Sequence, residues 1–204
     1  QKVETKGLKM NRCSRCNLPE TYETIEFDSK NVCNMCKGSE YKNKVIDWNK
    51  RKKLLDKLIE KYRGKSAYDC IIPFSGAKDS TFQLHYLIKN YNIKPLVVRF
   101  NHGFLRETVL NNTTRTLKKL GVDFLEFTPN WKIVKKLMLE SFKRKTDFCW
   151  HCHTGIFSYP LRVAINFKVP LIFYGEASSE YNMYYDYHDD KIDYFVEKKF
   201  NTSF

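Results

Sequence analysis

The sequence contains no run of apolar residues that approaches the length of a membrane span. Residues 1–10 are polar and lack the apolar core of a signal peptide, and the start at Gln1 leads us to expect a trimmed N-terminus. Acidic residues are comparatively few, since 23 Asp and Glu stand against 36 Lys and Arg. The net charge of +13 favours anionic partners such as nucleotides, phosphorylated sugars, RNA or acidic proteins. Much of this charge lies in lysines on predicted helix faces, so charge alone does not choose among these partners.

The seven cysteines do not resemble the disulfide framework of a secreted protein, because six of them stand in Cys-x-x-Cys pairs. Such pairs are typical of metal or redox chemistry in a reducing compartment, and we expect a cytoplasmic protein. The pairs Cys13/Cys16 and Cys33/Cys36 are separated by sixteen residues, which is the spacing of a zinc ribbon. Four thiolates in two close pairs suit tetrahedral Zn²⁺ in a closed, structural site. Two disulfides are the competing interpretation.

A small, polar stretch lies between a predicted strand over 68–74 and a predicted helix over 81–91. Its residues are Ser75, Gly76, Ala77, Lys78, Asp79 and Ser80, and the Walker A sequence cannot be laid on them. The first N–H groups of a helix have no intrahelical partner, and the helix dipole adds positive charge there, so this turn is a candidate anion site. Gly76 lets the backbone approach a phosphate closely. Ser75 and Ser80 offer hydroxyl donors, and Lys78 offers a cation.

This stretch resembles the pyrophosphate loop, Ser-Gly-Gly-x-Asp-Ser, of the enzymes that cleave ATP to AMP and pyrophosphate. The departure is Ala77 in place of the second glycine, and the loop tolerates this methyl group if the backbone of Ala77 has a negative φ. A plain serine-rich helix cap after a strand is the alternative interpretation.

Strands and helices alternate along much of the chain. We predict strands over 68–74, 95–100, 123–128 and 169–175, helices over 45–62, 81–91, 105–120, 131–142 and 155–167, and in the ribbon a strand over 21–27 and a turn over 28–31. Near-continuous apolar strands separated by helices predict an α/β fold with a doubly wound, mostly parallel sheet covered on both faces. The predicted domains are a zinc ribbon over 1–44, a connecting amphipathic helix in 45–66 and an α/β domain over 67–204.

Polar residues follow several of the predicted strands. Asn101 and His102 come after the second strand, and Glu176 comes after the fourth. Ligands of open α/β sheets bind outside the carboxyl ends of the strands, so we expect these residues to share one site with the loop. For His102, a surface position without a role is the alternative.

A second cysteine motif, Phe-Cys149-Trp-His-Cys152-His153, precedes a predicted helix start. Its thiols and imidazoles suit a second metal, an iron–sulfur cluster or a redox pair, because a helix N-terminus lowers a thiol pKa. The alternative is a structural turn in which the cysteines pack as small apolar groups. Cys70, within a predicted strand, is a core residue in our interpretation.

Several short stretches occur together in one order along the chain. They are Cys13-Ser-Arg-Cys16-Asn-Leu-Pro, Val32-Cys-Asn-Met-Cys36, Ile46-Asp-Trp48, Tyr68-Asp-Cys-Ile-Ile-Pro-Phe-Ser-Gly-Ala-Lys-Asp-Ser80, Cys149-Trp-His-Cys-His153, Gly155-Ile-Phe-Ser-Tyr-Pro160 and Tyr174-Gly-Glu176. In this ordered set the chain resembles the N-acetyl sugar amidotransferases of the PP-loop ATP pyrophosphatase superfamily. These enzymes serve bacterial surface-polysaccharide pathways, such as lipopolysaccharide O-antigen, and nonulosonic-acid pathways, such as pseudaminic and legionaminic acid. The chains of that family run longer at the C-terminus, so we expect this one to be truncated.

The resemblance implies ATP-driven conversion of the acetamido group of a nucleotide-linked sugar to an acetamidino group. It implies that residues 75–80, with Asn101 and His102, bind ATP, that Lys78 stabilises the pyrophosphate, and that Asp79 positions Mg²⁺. Glu176 is our candidate for orienting ammonia or the substrate amide. A separate glutaminase, with or without an ammonia-channelling subunit, is the implied partner, because no glutaminase-type nucleophile motif is visible in the chain.

Two rival functions stay open at this stage. The first is a tRNA thiolase that uses Cys149 and Cys152, which shares the pyrophosphate loop and fits the positive charge; we nevertheless do not expect nucleic acid as the partner. The second is a non-catalytic zinc-ribbon binding module, which leaves residues 75–80 without a purpose.

Overall fold

The computed structural model describes residues 10–22 and 25–175. The described chain forms two compact units, one up to Asn49 and one from Lys50 onward. Within the described residues, no helix has both the length and the apolar character needed to cross a membrane. The domain limits proposed from the sequence stay predictions.

The described part of the chain contains six α-helices and three β-strands. They are α1 (Asn34–Lys44), α2 (Trp48–Tyr62), β1 (Cys70–Pro73), α3 (Lys78–Tyr91), β2 (Pro95–Phe100), α4 (Glu107–Leu120), β3 (Asp123–Phe127), α5 (Trp131–Lys145) and α6 (Trp150–Asn166). The three strands form one parallel sheet in the order β1-β2-β3. Parallel pairing requires long crossovers, and α3 and α4 supply them.

The predicted fourth strand over 169–175 is an isolated parallel bridge between Ile172 and Ile71 in the described residues. The Ile71 N–H donates to the Leu171 carbonyl at 2.8 Å, and the Phe173 N–H donates to the Ile71 carbonyl at 3.0 Å. The prediction of a regular strand was wrong in length, since the next β1 residue that faces this segment after Ile71 is Pro73, which has no N–H to extend the ladder. The bridge still places this segment beside β1, on the side away from β2. The strands that follow β1 in the chain therefore lie on one side of it and this later segment lies on the other.

Alternate strand residues pack on opposite faces of the sheet. On one face Ile72 and Val97 pack with residues of α2, α3 and α4, among them Ile59 and Leu84. On the other face Ile71, Leu96 and Val98 pack with Val163 and Ala164 of α6. Every residue of β2 from Pro95 to Arg99 is buried. The predicted α/β fold with a parallel sheet covered on both faces is therefore confirmed.

Several helix limits differ from the predictions. Helix α1 was not predicted, α2 begins at Trp48 rather than at residue 45, and α5 runs three residues further than 142. Helix α3 begins at Lys78 rather than at 81, because the apolar periodicity used for the prediction starts only after the polar first turn. Helix α6 begins at Trp150 rather than at 155, so the second cysteine motif lies in its first turn.

In the N-terminal unit, the predicted turn over 28–31 is present. The Asn31 N–H donates to the Asp28 carbonyl at 2.9 Å, and the Asp28 carboxylate accepts the N–H groups of Lys30 and Val32, each at 2.9 Å. The predicted strand over 21–27 is reduced, in its described part, to a bridge between Phe27 and Cys33.

Candidate functional site

At one position in the turn between β1 and α3, only a glycine fits. Gly76 has a φ of +80°, and a Cβ there would collide with the Thr113 hydroxyl and press on Val109 of α4. Ala77 has a φ of −86°, so the negative φ that its methyl group requires is confirmed. The loop thus keeps the one glycine that its contact with α4 demands.

The two loop serines hold the loop in shape. Their hydroxyl oxygens lie 2.9 Å apart, the Ser75 hydroxyl accepts the Ala77 N–H at 3.2 Å, and the Ser80 hydroxyl donates to the Ala77 carbonyl at 3.3 Å. Asn112 of α4 donates from Nδ2 to the Gly76 carbonyl at 2.7 Å. Ser80 is buried, so its hydroxyl serves the loop itself.

The first turn of α3 presents the groups of an anion site. The first intrahelical bond runs from the Thr81 N–H to the Ala77 carbonyl at 3.1 Å, which leaves the N–H groups of Lys78, Asp79 and Ser80 without intrahelical acceptors. Lys78 is exposed, and no ion pair links it or Asp79 to another described residue. A helix N-terminus with free N–H groups and an unpaired ammonium favours a phosphate or pyrophosphate group.

At the end of β2, Asn101 and His102 are held by nearby groups. Asn101 donates from Nδ2 to the Glu126 carboxylate at 3.2 Å and accepts the Gly103 N–H at 3.0 Å. The His102 Nδ1 accepts the Phe104 N–H at 3.2 Å, which places the proton of a neutral imidazole on Nε2. Burial, and then the charges of His151 and Arg99, lower the pKa of His102. Both residues lie at the carboxyl edge of the sheet, where the phosphate loop also begins.

Behind the loop lies an ion pair that sequence reasoning missed. Arg99 of β2 is only 8% exposed, pairs with Glu126 of β3 and donates from a terminal guanidinium nitrogen to the Thr113 hydroxyl at 2.9 Å. The same Thr113 hydroxyl is the group that excludes a side chain at Gly76. A charged residue inside the apolar run Leu-Val-Val-Arg-Phe was the available signal, since buried arginines are paired.

A cleft of about 310 Å³ opens beside the first turns of α3. Asp79 lines it, together with aromatic residues that include Phe82, Tyr86 and Tyr174. Gln83 donates from Nε2 to the Tyr174 carbonyl at 2.7 Å and so ties the end of the 171–175 segment to α3. Glu176, predicted to complete the site, lies outside the described residues.

The four N-terminal cysteines come together as the spacing predicts. Their sulfur atoms all lie within 4.8 Å of one another, with Cys13–Cys36 at 3.9 Å and Cys16–Cys33 at 3.5 Å. A Zn–S bond of about 2.3 Å in a tetrahedral site gives sulfur–sulfur edges of about 3.8 Å, so the donor set fits Zn²⁺. All four cysteines are free thiols, so the alternative of two disulfides is wrong.

The electrostatics of this cluster also favour a cation. Burial opposes ionisation of Cys13, but backbone N–H groups, including those of Cys33 and Arg15, lower its pKa to about 6. Burial and the neighbouring thiols raise the pKa of Cys36 to about 12. Four adjacent thiolates therefore need a positive charge among them.

The second cysteine motif brings together two thiols and one imidazole. The sulfur atoms of Cys149 and Cys152 lie 3.0 Å apart, and the Cys152 sulfur lies 3.5 Å from Nε2 of the buried His151. His153, which the sequence analysis grouped with the thiols, is exposed. Within residues 10–22 and 25–175, only the N-terminal cysteines bring three or more ligand atoms within 4.8 Å of one another.

Comparisons with known proteins place the fold. No model of a protein family matches the sequence. An uncharacterized protein of Methanocaldococcus jannaschii is 26% identical over 146 residues, which cover 69% of this chain and 50% of that protein. The chain thus spans about half the length of the curated relative it matches.

Among solved structures, the NH3-dependent NAD synthetase of Campylobacter jejuni in complex with the nitrate ion is similar. It aligns with a TM-score of 0.52 at 14% identity, covering 76% of this chain and 74% of the synthetase. The NMN synthetase of Francisella tularensis aligns with a TM-score of 0.47 at 12% identity, covering 66% of this chain and 58% of that one. The U34-tRNA thiolase NcsA of Methanococcus maripaludis aligns with a TM-score of 0.42 at 18% identity, covering 81% of this chain and 54% of the thiolase.

The likeness to the NAD synthetase shows that this chain shares the α/β fold of that enzyme.

Proposed function

We propose that this chain belongs to an ATP-dependent enzyme that releases AMP and pyrophosphate and converts the acetamido group of a nucleotide-linked sugar to an acetamidino group. The observation that carries the ATP chemistry is the loop of residues 75–80. Its glycine is fixed by contact with α4, its backbone N–H groups are free at a helix N-terminus, and an exposed lysine stands beside them. An inert binding module gives this arrangement no purpose.

The reaction has two steps. The acetamido oxygen attacks the α-phosphorus of ATP, which forms an imidoyl-AMP and expels pyrophosphate. Ammonia then attacks the imidoyl carbon, and AMP leaves with the former carbonyl oxygen. Activation is needed because an amide carbonyl is a weak electrophile and its oxygen is a poor leaving group.

The phosphate loop acts in the first step. The N–H groups at the start of α3 and the Lys78 ammonium stabilise the charge that develops on the departing pyrophosphate. We assign Asp79 to hold Mg²⁺, and this assignment is supported by its position in the lining of the adjoining cleft and by its lack of an ion-pair partner among the described residues. When bound, Mg²⁺ neutralises phosphate charge. Asn101 and His102, at the same edge of the sheet, contribute to the nucleotide site.

The acetamido sugar as substrate is supported by the ordered sequence stretches that the chain has in common with N-acetyl sugar amidotransferases. The fold is also that of a synthetase described as NH3-dependent, so the architecture accommodates amide-nitrogen chemistry of this kind. We further propose that a glutaminase partner supplies ammonia, directly or through a channelling subunit, and that Glu176 orients ammonia or the substrate amide. In this scheme the four-cysteine site holds a structural Zn²⁺.

The test is AMP release by the full-length protein with ATP, Mg²⁺, ammonium and a panel of UDP- and CMP-linked acetamido sugars. We expect one sugar to lose about one mass unit, as NH replaces oxygen, in stoichiometric amounts with AMP. The Lys78→Ala variant should bind the sugar but lose at least about 100-fold in AMP release. Release of ADP instead of AMP would refute the proposal.

A second candidate function is ATP-dependent thiolation of tRNA. It is favoured by the Cys149 and Cys152 sulfurs at 3.0 Å and by the net charge of +13. Incubation with tRNA, ATP and a sulfur donor distinguishes the two, since the thiolase adds sulfur to RNA and leaves every acetamido sugar unchanged.

A further inference from the structure

We propose that Cys149 and Cys152 form a redox-active dithiol that reacts with small disulfides, with Cys149 as the attacking thiol, Cys152 as the buried resolving thiol and His151 as the base that accepts the proton of Cys152. This inference does not rest on the proposed amidotransferase activity.

The proposal starts from the distance between the two sulfur atoms. At 3.0 Å they are already in contact, and a motion of about 1 Å brings them to the length of a disulfide bond. The motif lies in the first turn of α6, with Cys149 as the residue that precedes the helix. A disulfide between positions three residues apart therefore needs no rearrangement of the fold.

The two thiols differ in access. Cys149 is partly exposed, whereas Cys152 is only 3% exposed. Only Cys149 is therefore accessible to an external disulfide.

The buried thiol needs help to ionise. Burial, and then the adjacent Cys149, raise the pKa of Cys152 to about 12. His151 is 4% exposed, its Nε2 lies 3.5 Å from the Cys152 sulfur, and its Nδ1 has no hydrogen-bond partner. A buried imidazole beside a buried thiol is suited to take the thiol proton.

Charged and titratable groups face the pair from two neighbouring segments. Asp147 accepts the Cys149 N–H at 2.7 Å and faces the pair from the turn before α6. His102 faces His151 from the loop after β2, with the Phe104 ring 6.2 Å from the His151 ring. Among the described residues, the Asp147 carboxylate and the imidazoles of His102 and His151 are thus titratable groups near the thiols.

The chemistry balances as thiol–disulfide exchange. The Cys149 thiolate attacks one sulfur of a small disulfide, forming a mixed disulfide and releasing one thiolate. Cys152 passes its proton to His151, and its thiolate attacks the Cys149 sulfur and expels the second thiolate. Two protein thiols are oxidised to one disulfide while the small disulfide is reduced to two thiols.

The experiment uses the full chain, reduced, freed of reductant and then exposed to glutathione disulfide. Free thiols are capped and the protein is digested with trypsin, which releases residues 146–162 with Cys149 and Cys152 as the only cysteines of the peptide. We expect this peptide to lose two hydrogens without keeping glutathione. Because the readout is the mass of one peptide, oxidation of the N-terminal cysteines does not disturb it.

Single variants test the assigned roles. Cys152→Ser should trap glutathione on Cys149 in at least about tenfold higher yield than Cys149→Ser traps it on Cys152. His151→Asn should slow ring closure about tenfold near neutral pH, with the difference narrowing as the pH rises toward the Cys152 pKa of about 12. Equal trapping by the two cysteine variants would overturn the roles. A peptide that never loses two hydrogens, or a metal ion lost in both cysteine variants, would overturn the proposal itself.

Discussion

The two units of the chain hold their shape by different means. In the described residues 10–22 and 25–49, only Cys13 and Cys33 are buried, and α1 buries no side chain. In the unit from Lys50 onward, two apolar clusters pack on the two faces of the sheet. Hydrophobic burial therefore stabilises the second unit. The first unit has no comparable core in its described residues, so its stability should depend on a metal ion bound by its four cysteines.

Removing the proposed Zn²⁺ should have the largest effect and should act on the first unit alone. Structural Zn²⁺ contributes about 10–16 kcal/mol to the folding of small zinc domains, far more than the few apolar contacts of this unit can supply. A strong chelator, or Cys33→Ser, should abolish hydrogen-exchange protection up to Asn49 and leave the protection of β1 and β2 unchanged. The Cys149→Ser variant is the matched control and should retain all bound zinc. Hydrogen-exchange protection that persists in the N-terminal unit without metal would contradict the claim that this unit depends on a metal for its fold.

Truncating a core side chain of the second unit should destabilise that unit and leave the first unit unchanged. Leu84 of α3 is fully buried in the cluster with Ile72 and Val97, so Leu84→Ala should destabilise this unit by about 2–5 kcal/mol. Leu139→Ala, at a position that is 54% exposed on α5, should change stability by less than about 0.5 kcal/mol. Denaturant unfolding followed by circular dichroism measures both. Loss of zinc in Leu84→Ala under native conditions would show that the units do not fold independently.

Gly76→Ala should disturb the functional loop of the second unit more than its fold. The substitution combines a φ of +80° with collisions against Thr113 and Val109, and such strain costs about 1–3 kcal/mol. The loop can relieve it only by moving away from α4, so we expect ATP binding to weaken at least tenfold while the melting temperature falls by a few degrees. Ala77→Gly, at a negative φ, is the control and should bind ATP normally. Equal ATP affinity for Gly76→Ala and the native chain would refute the role given to the loop.

Sequence reasoning succeeded where local chemistry decides the outcome. The four-cysteine cluster follows from spacing, and the position of residues 75–80 at the start of a helix follows from a strand, a turn and a helix in succession. The parallel sheet follows from short, almost fully apolar strands.

The rest depends on contacts between residues distant in the chain. The apolar run around Arg99 indicates a buried, paired arginine, but it does not reveal that the partners of the guanidinium are Glu126 and Thr113. Likewise, the pattern around Cys149 did not show that α6 begins at Trp150, because the polar residues His151, His153 and Thr154 interrupt its apolar periodicity. The predicted strand over 169–175 shrank to a bridge at Ile172 because pairing depends on the partner strand as well as on composition.

The smallest effect we predict is a pH dependence in the second unit that arises from His102. Burial, and then the charges of His151 and Arg99, lower its pKa in the folded state. The unfolded chain therefore holds the proton more tightly, so the stabilising contribution is complete above the unfolded pKa of about 6.5 and is lost as the pH falls through the folded pKa. His102→Asn should flatten the fall in melting temperature between about pH 7 and pH 5, whereas the exposed His153→Asn should follow the native profile. Solvent screening keeps the difference to about a degree or two, so thermal unfolding must be measured on both variants in parallel. A native slope in His102→Asn would mean that the group responsible for acid sensitivity lies elsewhere, with the thiolates of the N-terminal unit as the first alternative.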